Sequence, residues 1–249
     1  MKITEYELFE VPPRWQFLQV VTNDGLVGWG ETYTKWHFVN DSSPATRSAV
    51  DQMMHHYVRG EDPARIEDLW QSMYRSSFYR GGPIHMSAIA GIDQALWDVK
   101  GKRCDEPVFE LLGGRVRDRI RVYEHVSTHH EKDVSDAAAA AAREARTASD
   151  KGYTAVELVP MGGVEHIDTS GAVDRACDVV RAVREEIDPD VGVALDFHGR
   201  VSKSMAMPLI AALEKFDPLF IEESVPPSRL QSGRCNRRVA RPLGRTRAA

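Results

Sequence analysis

The chain has 249 residues, of which 42% are hydrophobic, and a formal net charge of −5. This length allows one large domain or two ordinary ones, with enough apolar residues for a sizeable core. No run of about 18 apolar residues occurs, so no membrane-spanning helix and no membrane partner are predicted. The three cysteines are odd in number and far apart. They predict neither a disulfide framework nor a zinc motif, and we expect a cytoplasmic protein.

The first 115 residues combine short strands with helices. Asn23-Asp24-Gly25 is a strong turn signal between two apolar runs and predicts a β-hairpin. Downstream, Pro63 is predicted to open one helix and Ser87 to cap a longer one. We therefore predict an α+β module over 1–115, with three strands over 2–10, 15–22 and 26–32.

From Arg119 onward, strand and helix patterns alternate with a repeat of about 30 to 35 residues, which is typical of a (β/α) barrel. Four parallel strands cannot close a barrel, so one edge of the sheet would be open. The fold class predicted is α/β with an α+β module before it, and the α/β part over 116–225 is the first half of a barrel. Its predicted strands cover 119–126, 154–159, 191–197 and 218–222, and its helices 133–150, 169–187 and 204–215.

Two successive strands of this series end in ionisable side chains. Asp196 and His198 are two residues apart and should share a side of their strand, and Glu222 ends the next strand. Because the carboxyl ends of parallel strands meet at one edge, the two carboxylates should converge beside the histidine. Such a group suits a hard cation such as Mg²⁺ with an acid/base residue next to it. An Asp at a strand end is also often only a turn residue, and that alternative stays open.

The chain resembles the enolase superfamily, in its mandelate racemase-like branch of sugar-acid dehydratases of the galactonate and gluconate type. The resemblance covers about 1–225, and its most specific stretches lie at 12–31, 78–102, 194–202 and 220–223. It implies that the N-terminal module is a capping domain, and that Asp196 and Glu222 ligate Mg²⁺ while His198 is the general acid. It also implies that a sugar acid loses water to give a 2-keto-3-deoxy acid, and that the intact family forms homo-oligomers.

The chain departs from the family pattern in three ways. The family's third metal ligand and its catalytic base belong to later strands that this pattern does not reach. On strand 154–159 the dehydratases carry a Lys and an Asn, whereas this chain has Glu157 and Val159. A Glu there adds negative charge beside an anionic substrate unless a metal or a proton compensates it.

Two further features have both a functional and a structural interpretation. Arg14 is a candidate contact for a substrate carboxylate or hydroxyl, or else a structural surface arginine. The histidines at 125, 129 and 130 could bind a metal, but we interpret this segment as a polar loop at the end of the first barrel strand.

The residues 226–249 differ from the rest of the chain. Seven arginines and no acidic residue occur over 228–249. A nucleic-acid partner is not predicted, because no aromatic residue is interleaved and no helical pattern organises the charge. We interpret this segment as an unstructured tail or as out-of-frame translation. The alternative to an enzyme is therefore a non-catalytic truncated homologue or pseudogene product.

Overall fold

The computed structural model describes residues 1–12, 15–32, 35–36, 40–76, 78, 80–127 and 134–226. The chain divides into two compact units, Met1–Asp118 and Arg119–Ala249, and each is described by itself. The division into 1–115, 116–225 and 226–249 drawn from the sequence stays a prediction, and the tail from 227 lies outside the described residues. No helix in the described part is long and apolar enough to cross a bilayer.

An antiparallel three-stranded sheet opens the first unit, in the order β1-β2-β3. It consists of β1 (Ile3–Val11), β2 (Trp15–Thr22) and β3 (Val27–Glu31). Alternate residues of β2 are buried, as a half-buried strand requires. The hairpin predicted at Asn23-Asp24-Gly25 is confirmed. Gly25 has a φ of 87°, which favours glycine. A short pair, β4 (Lys35–Trp36) and β5 (Asn40–Asp41), follows.

Four helices follow the sheet in the described part of the first unit. They are α1 (Ser43–Met53), which continues in a π-helical turn (Met54–Val58), α2 (Ile66–Arg75), α3 (Gly82–Cys104) and α4 (Val108–Leu111). The predicted starts of two helices were wrong. The second begins at Ile66 and not at Pro63. The third begins five residues before Ser87, because Pro83 occupies its first turn, where a missing N–H costs nothing.

The helix α3 lies unusually close to the strand β3. A Cβ added to Gly28 or Gly30 would clash with the backbone carbonyl of Ala95 or Gly91. The glycines of β3 therefore serve this close approach of strand and helix. The buried apolar side chains of the unit come from both layers: Ile3, Leu8, Leu18, Val20, Val50, Met53, Met54, Val58, Ile66, Leu69, Met73, Ile89, Ile92 and Leu96.

The second unit alternates strands and helices, as predicted. Its four strands are parallel in the order β6-β7-β8-β9, so among the described residues β6 and β9 are the edges. The elements are β6 (Glu124–Val126), α5 (Val134–Asp150), β7 (Ala155–Leu158), α6 (Ser170–Glu186), β8 (Gly192–Asp196), α7 (Lys203–Leu213), a 3₁₀ turn (Glu214–Phe216) and β9 (Ile221–Glu222).

The helices cover one face of this parallel sheet. That face contributes Val126, Leu158, Val193 and Leu195 to a core that also holds the alanine-rich side of α5 and apolar residues of α6 and α7. The first strand is shorter than the predicted 119–126. Ile120 and Val122 are exposed, and the ladder begins only at Glu124. Alternation alone therefore overestimated this strand.

Candidate active site

The sheet face opposite the helices carries ionisable side chains at the strand ends. Residues that are level on neighbouring parallel strands point to one side, and every second residue along a strand returns to that side. His125 of β6 pairs in register with Glu157 of β7, and Glu157 pairs in register with Ala194 of β8. Two residues beyond Ala194, the strand β8 ends at Asp196, which is level with Glu222. The face therefore carries one histidine and three carboxylates: His125, Glu157, Asp196 and Glu222.

An aromatic contact shows that this face is concave. Tyr123 and Phe220 precede His125 and Glu222 by two residues, and their ring centroids are 6.0 Å apart. In a flat sheet the two outer of four strands would be about 14 Å apart. The sheet therefore curls towards this face. Burial raises the pKa of the Tyr123 phenol, and the charges of Glu222, Glu157 and Asp196 raise it further.

Asp196 and His198 are in direct contact. The backbone N–H of His198 donates to Asp196 Oδ1 at 2.7 Å, and His198 Nε2 lies 2.8 Å from Asp196 Oδ2. The expectation that both residues lie in one strand was wrong, because β8 ends at Asp196 and His198 has a φ of 50°. A left-handed turn, and not strand alternation, brings the ring back to the carboxylate.

Backbone hydrogen bonds hold the ends of β8 and β9 together beyond the regular ladder. Phe197 N–H donates to the carbonyl of Glu222 at 3.0 Å, and Gly199 N–H donates to the carbonyl of Glu223 at 2.8 Å. Glu223 also has a positive φ, of 42°. Left-handed backbone in non-glycine residues is costly and persists where the surroundings enforce it. The residues that carry the predicted carboxylates are thus fixed by a paired, strained segment.

The carboxyl of Glu222 is crowded by like charges. Its pKa is raised, first by burial and then by the charges of Asp196, Glu157 and Glu223. Asp196 itself is only 9% exposed. A site that concentrates partly buried carboxylates in this way favours a compensating cation.

The residues present fit Mg²⁺ in kind and in number. Asp196 and Glu222 supply two carboxylates on level positions of adjacent strands. Mg²⁺ is usually held by one or two carboxylates and keeps several of its waters. Within the described ranges, no group of three or more His, Cys, Asp or Glu side chains is arranged to hold a metal ion. Among the described residues, the carboxylates that could hold such a cation are therefore this pair.

A second histidine–carboxylate pair was missed by the sequence reasoning. His125 Nδ1 lies 2.6 Å from Glu157 Oε2. Glu157 is 7% exposed, and its Oε1 has no hydrogen-bond partner among the described residues. The hydrogen bond that the ring donates to Glu157 raises the pKa of His125. Burial opposes this, and the charges of Glu157, Asp196 and Glu144 add to it. The sequence signal for this pair is that each residue lies near the end of its strand, on the sheet face opposite the helices.

Two sequence predictions cannot be located in the structure. Arg14, the candidate substrate contact, lies outside the described residues. The histidines at 129 and 130 also lie outside them, so of that histidine segment only His125 has a described environment.

Comparison with known proteins identifies the class to which this fold and site belong. Residues 13–113 match the mandelate racemase / muconate lactonizing enzyme N-terminal domain, and residues 139–243 match the enolase C-terminal domain-like family. The second match continues 18 residues beyond 225, where we had placed the end of the resemblance. The chain belongs to the mandelate racemase and muconate lactonizing enzyme branch of the enolase superfamily.

Individual relatives agree with this assignment. A D-galactonate dehydratase of Verminephrobacter eiseniae (strain EF01-2) is 48% identical over 225 residues, which are 90% of this chain and 56% of that protein. The mandelate racemase/muconate lactonizing enzyme of Jannaschia sp. CCS1 superposes with a TM-score of 0.80 at 30% identity, over 92% of this chain and 63% of that one. A Salmonella Typhimurium member of the enolase superfamily gives 0.82 at 25%, over 92% and 63%. The chain thus spans about 56% of the length of the curated relative it matches.

Proposed function

We propose that the chain belongs to a magnesium-dependent sugar-acid dehydratase, which converts a galactonate- or gluconate-like acid into a 2-keto-3-deoxy acid. The observation that carries this proposal is the site itself: Asp196 and Glu222 pair in register on adjacent strands, and the His198 ring contacts the Asp196 carboxylate. The 48% identity to a protein named as a D-galactonate dehydratase supports the substrate class. Since the chain spans little more than half of that relative, the activity is proposed for the whole functional protein.

In this proposal Asp196 and Glu222 hold the cation. Their oxygen ligands and their crowding match a hard divalent ion. When bound, Mg²⁺ supplies positive charge that offsets the charge developing on the substrate carboxylate as the neighbouring proton leaves.

His198 acts as the general acid in the same proposal. The proton on its ring would pass to the β-hydroxyl of the substrate, so that the C–O bond breaks with the release of water. Asp196 contacts both the ring and the backbone N–H of His198, which restricts where the ring can lie. The low exposure of Asp196 keeps bulk water from this contact.

The remaining elements of the proposal rest on the sequence and the family. We propose a cytoplasmic protein whose small-molecule partner is a sugar acid, which forms homo-oligomers and has no nucleic-acid or membrane partner. We further propose that 1–115 is the capping domain and 116–225 the partial barrel, with 226–249 as a separate tail. Arg14 remains the proposed substrate contact of the cap.

Calorimetry on the full chain tests the proposal before any turnover is sought. We expect Mg²⁺ to bind and D-galactonate or D-gluconate to bind only when Mg²⁺ is present. In the whole functional protein, incubation in D₂O should give the 2-keto-3-deoxy acid with deuterium at C3, and His198→Asn should abolish this. In the present chain, which does not reach the strand expected to carry the base, His198→Asn should leave Mg²⁺ binding intact. If no sugar acid binds to the Mg²⁺-loaded chain, the proposed function is wrong.

A further inference from the structure

We infer that His125, held through Nδ1 by Glu157, is a substrate-binding residue that presents its Nε2–H to an oxygen of the sugar-acid anion. This inference rests on the proposed function and adds a specificity-determining pair to it. It also answers the question raised by Glu157 in the sequence, because the Glu157 charge has a cationic partner on the neighbouring strand.

The position of His125 supports this role. It lies near the end of β6, level with Glu157, on the sheet face that also carries Asp196 and Glu222. The contact between Tyr123 and Phe220 shows that the sheet curls towards this face. Of the four side chains on the face, His125 is the one that can carry a positive charge, and a sugar acid is an anion.

The geometry of the pair fixes the orientation of the ring. Because Nδ1 is 2.6 Å from Glu157 Oε2, it carries the proton of that hydrogen bond, and the ring is held by a buried carboxylate. The other ring nitrogen, Nε2, has no hydrogen bond to any described residue, and the side chain is about half exposed. A histidine whose one nitrogen is anchored and whose other nitrogen is accessible is preorganised to bind a ligand.

The charges around His125 favour its protonated form. The largest cause of the raised pKa is the hydrogen bond that the imidazole donates to Glu157 on β7, and the charges of Glu157, Asp196 on β8 and Glu144 on α5 raise it further. Glu144 is itself bound to the backbone N–H of Ser127 at 2.8 Å, next to the end of β6. The imidazolium can therefore donate to a carboxylate or hydroxyl oxygen of the ligand.

Glu157 offers a second, complementary group. Its Oε1 is buried without a donor among the described residues, which is an unfavourable state for a carboxylate oxygen. A hydroxyl group of a bound sugar acid is a donor of the right kind. His125 Nε2–H as a donor and Glu157 Oε1 as an acceptor together match the carboxylate and hydroxyl groups of a hydroxy acid.

Calorimetric titration of the full, Mg²⁺-loaded chain with D-galactonate tests the pair. At about pH 6 we expect His125→Gln to weaken binding about tenfold or more, since a charged hydrogen bond is lost. His125→Lys, which restores a cation, should recover most of the affinity. In Glu157→Gln the pH at which affinity falls should be lower than in the wild type, because the imidazole loses the carboxylate that keeps it charged. His55→Gln, an exposed histidine of the other unit, is the matched control and should bind as the wild type does.

Failure of the inference and failure of the proposed function give different results. If the wild type binds galactonate and His125→Gln binds it equally tightly, the pair does not bind substrate, and the proposed function is unaffected. An unchanged pH midpoint in Glu157→Gln would also overturn the role of Glu157. If the wild type binds no sugar acid at all, the proposed function fails and this inference fails with it.

Discussion

The Asp196 carboxylate contacts His198 at two points, through the backbone N–H at 2.7 Å and through ring Nε2 at 2.8 Å. The two contacts require the left-handed backbone that His198 adopts, with a φ of 50°. The left-handed conformation raises the free energy of an L-residue. The cost is smaller for Asn than for most residues, and it is largest for a β-branched residue. The contact that positions the proposed acid is therefore tied to backbone strain at the end of β8.

Substitutions at His198 should distinguish the contribution of the ring contact to stability from that of the backbone strain. We expect His198→Asn to cost about 1 kcal/mol of unfolding free energy, because Asn tolerates the left-handed region but loses the ring contact. His198→Val should cost about 1 to 2 kcal/mol more, since its branched Cβ is strained there. Urea denaturation of the two variants measures the difference. Equal midpoints for Asn and Val would contradict the strained backbone at this position.

Removal of either proposed metal ligand should abolish cation binding. We expect Asp196→Asn and Glu222→Gln each to lose most Mg²⁺ affinity, because each removes one of the two carboxylates proposed to hold the cation in this chain. Mg²⁺ should raise the melting temperature of the wild type and not that of either variant, as a ligand stabilises only the state that binds it. Glu214→Gln, an exposed carboxylate in the 3₁₀ turn, is the control and should respond as the wild type does. Mg²⁺ stabilisation that persists in both ligand variants would place the metal elsewhere.

The candidate site was predictable in part, because the relevant signal is local. An apolar run that ends in an acidic residue marks a strand end, and parallel strands gather their ends, so Asp196 and Glu222 could be paired from the sequence. The His125–Glu157 pair could not be found in this way. It depends on which residues of β6 and β7 pair in register. A long helical crossover joins parallel strands, so no short turn fixes their register from the sequence as it does in a hairpin.

The fold was predictable at the level of element type but not of boundaries. Alternating patterns gave the parallel unit, yet the first strand begins at Glu124 and not at 119. Likewise Ser87 has the chemistry of a helix cap but lies inside α3, which begins at Gly82. In the first case the alternating residues have no strand partner before Glu124 in the described part of the chain, and Ile120 and Val122 are exposed. In the second case Pro83 in the first turn starts the helix before the Ser87 cap signal.

The stability contributed by His125 should depend on pH. Its folded-state pKa is raised above the ordinary value of 6.5, so its ion pair with Glu157 stabilises the fold below about pH 6.5 and loses this effect as the pH rises through the folded-state pKa. We therefore expect the wild type to exceed His125→Gln in denaturation midpoint at about pH 6, and by less at about pH 9. His55→Gln should show no such convergence. A difference that grows with pH would contradict the direction of the shift.

The close contact between β3 and α3 should not tolerate a side chain. We expect Gly30→Ala to destabilise the chain by about 1 to 3 kcal/mol, because its Cβ would overlap the carbonyl of Gly91 and push the layers apart. Gly162→Ala is the control, since nothing lies within 4 Å of the added atom, and it should change the free energy of unfolding by less than about 0.5 kcal/mol. Thermal and urea denaturation measure both. If Gly30→Ala is as stable as the control, the strand and the helix are not in contact at this point.

Arg184 binds three backbone carbonyls of two segments of the second unit through its guanidinium group. Its Nε donates to the carbonyl of Phe216 at 3.0 Å, Nη1 to that of Val191 at 2.7 Å and Nη2 to that of Asp217 at 2.9 Å. These carbonyls belong to the segments that enter β8 and β9, so the group fixes the start of both strands whose far ends carry Asp196 and Glu222. Burial lowers the pKa of Arg184, as expected for a cation bound only by neutral acceptors.

Replacing this guanidinium should therefore cost more than replacing an exposed one. Arg184→Lys should destabilise the chain by about 1 to 3 kcal/mol, because an ammonium cannot reach three carbonyls with the fixed fork of a guanidinium. Arg181, one turn earlier on α6, has an exposed ion pair with Asp178, and Arg181→Lys should cost less than about 0.5 kcal/mol. Chemical denaturation compares the two, and Mg²⁺ affinity provides a second measurement. If the strand starts position the carboxylates, Arg184→Lys weakens Mg²⁺ binding while Arg181→Lys leaves it unchanged. Unaltered stability in Arg184→Lys would show that the three carbonyls do not depend on this side chain.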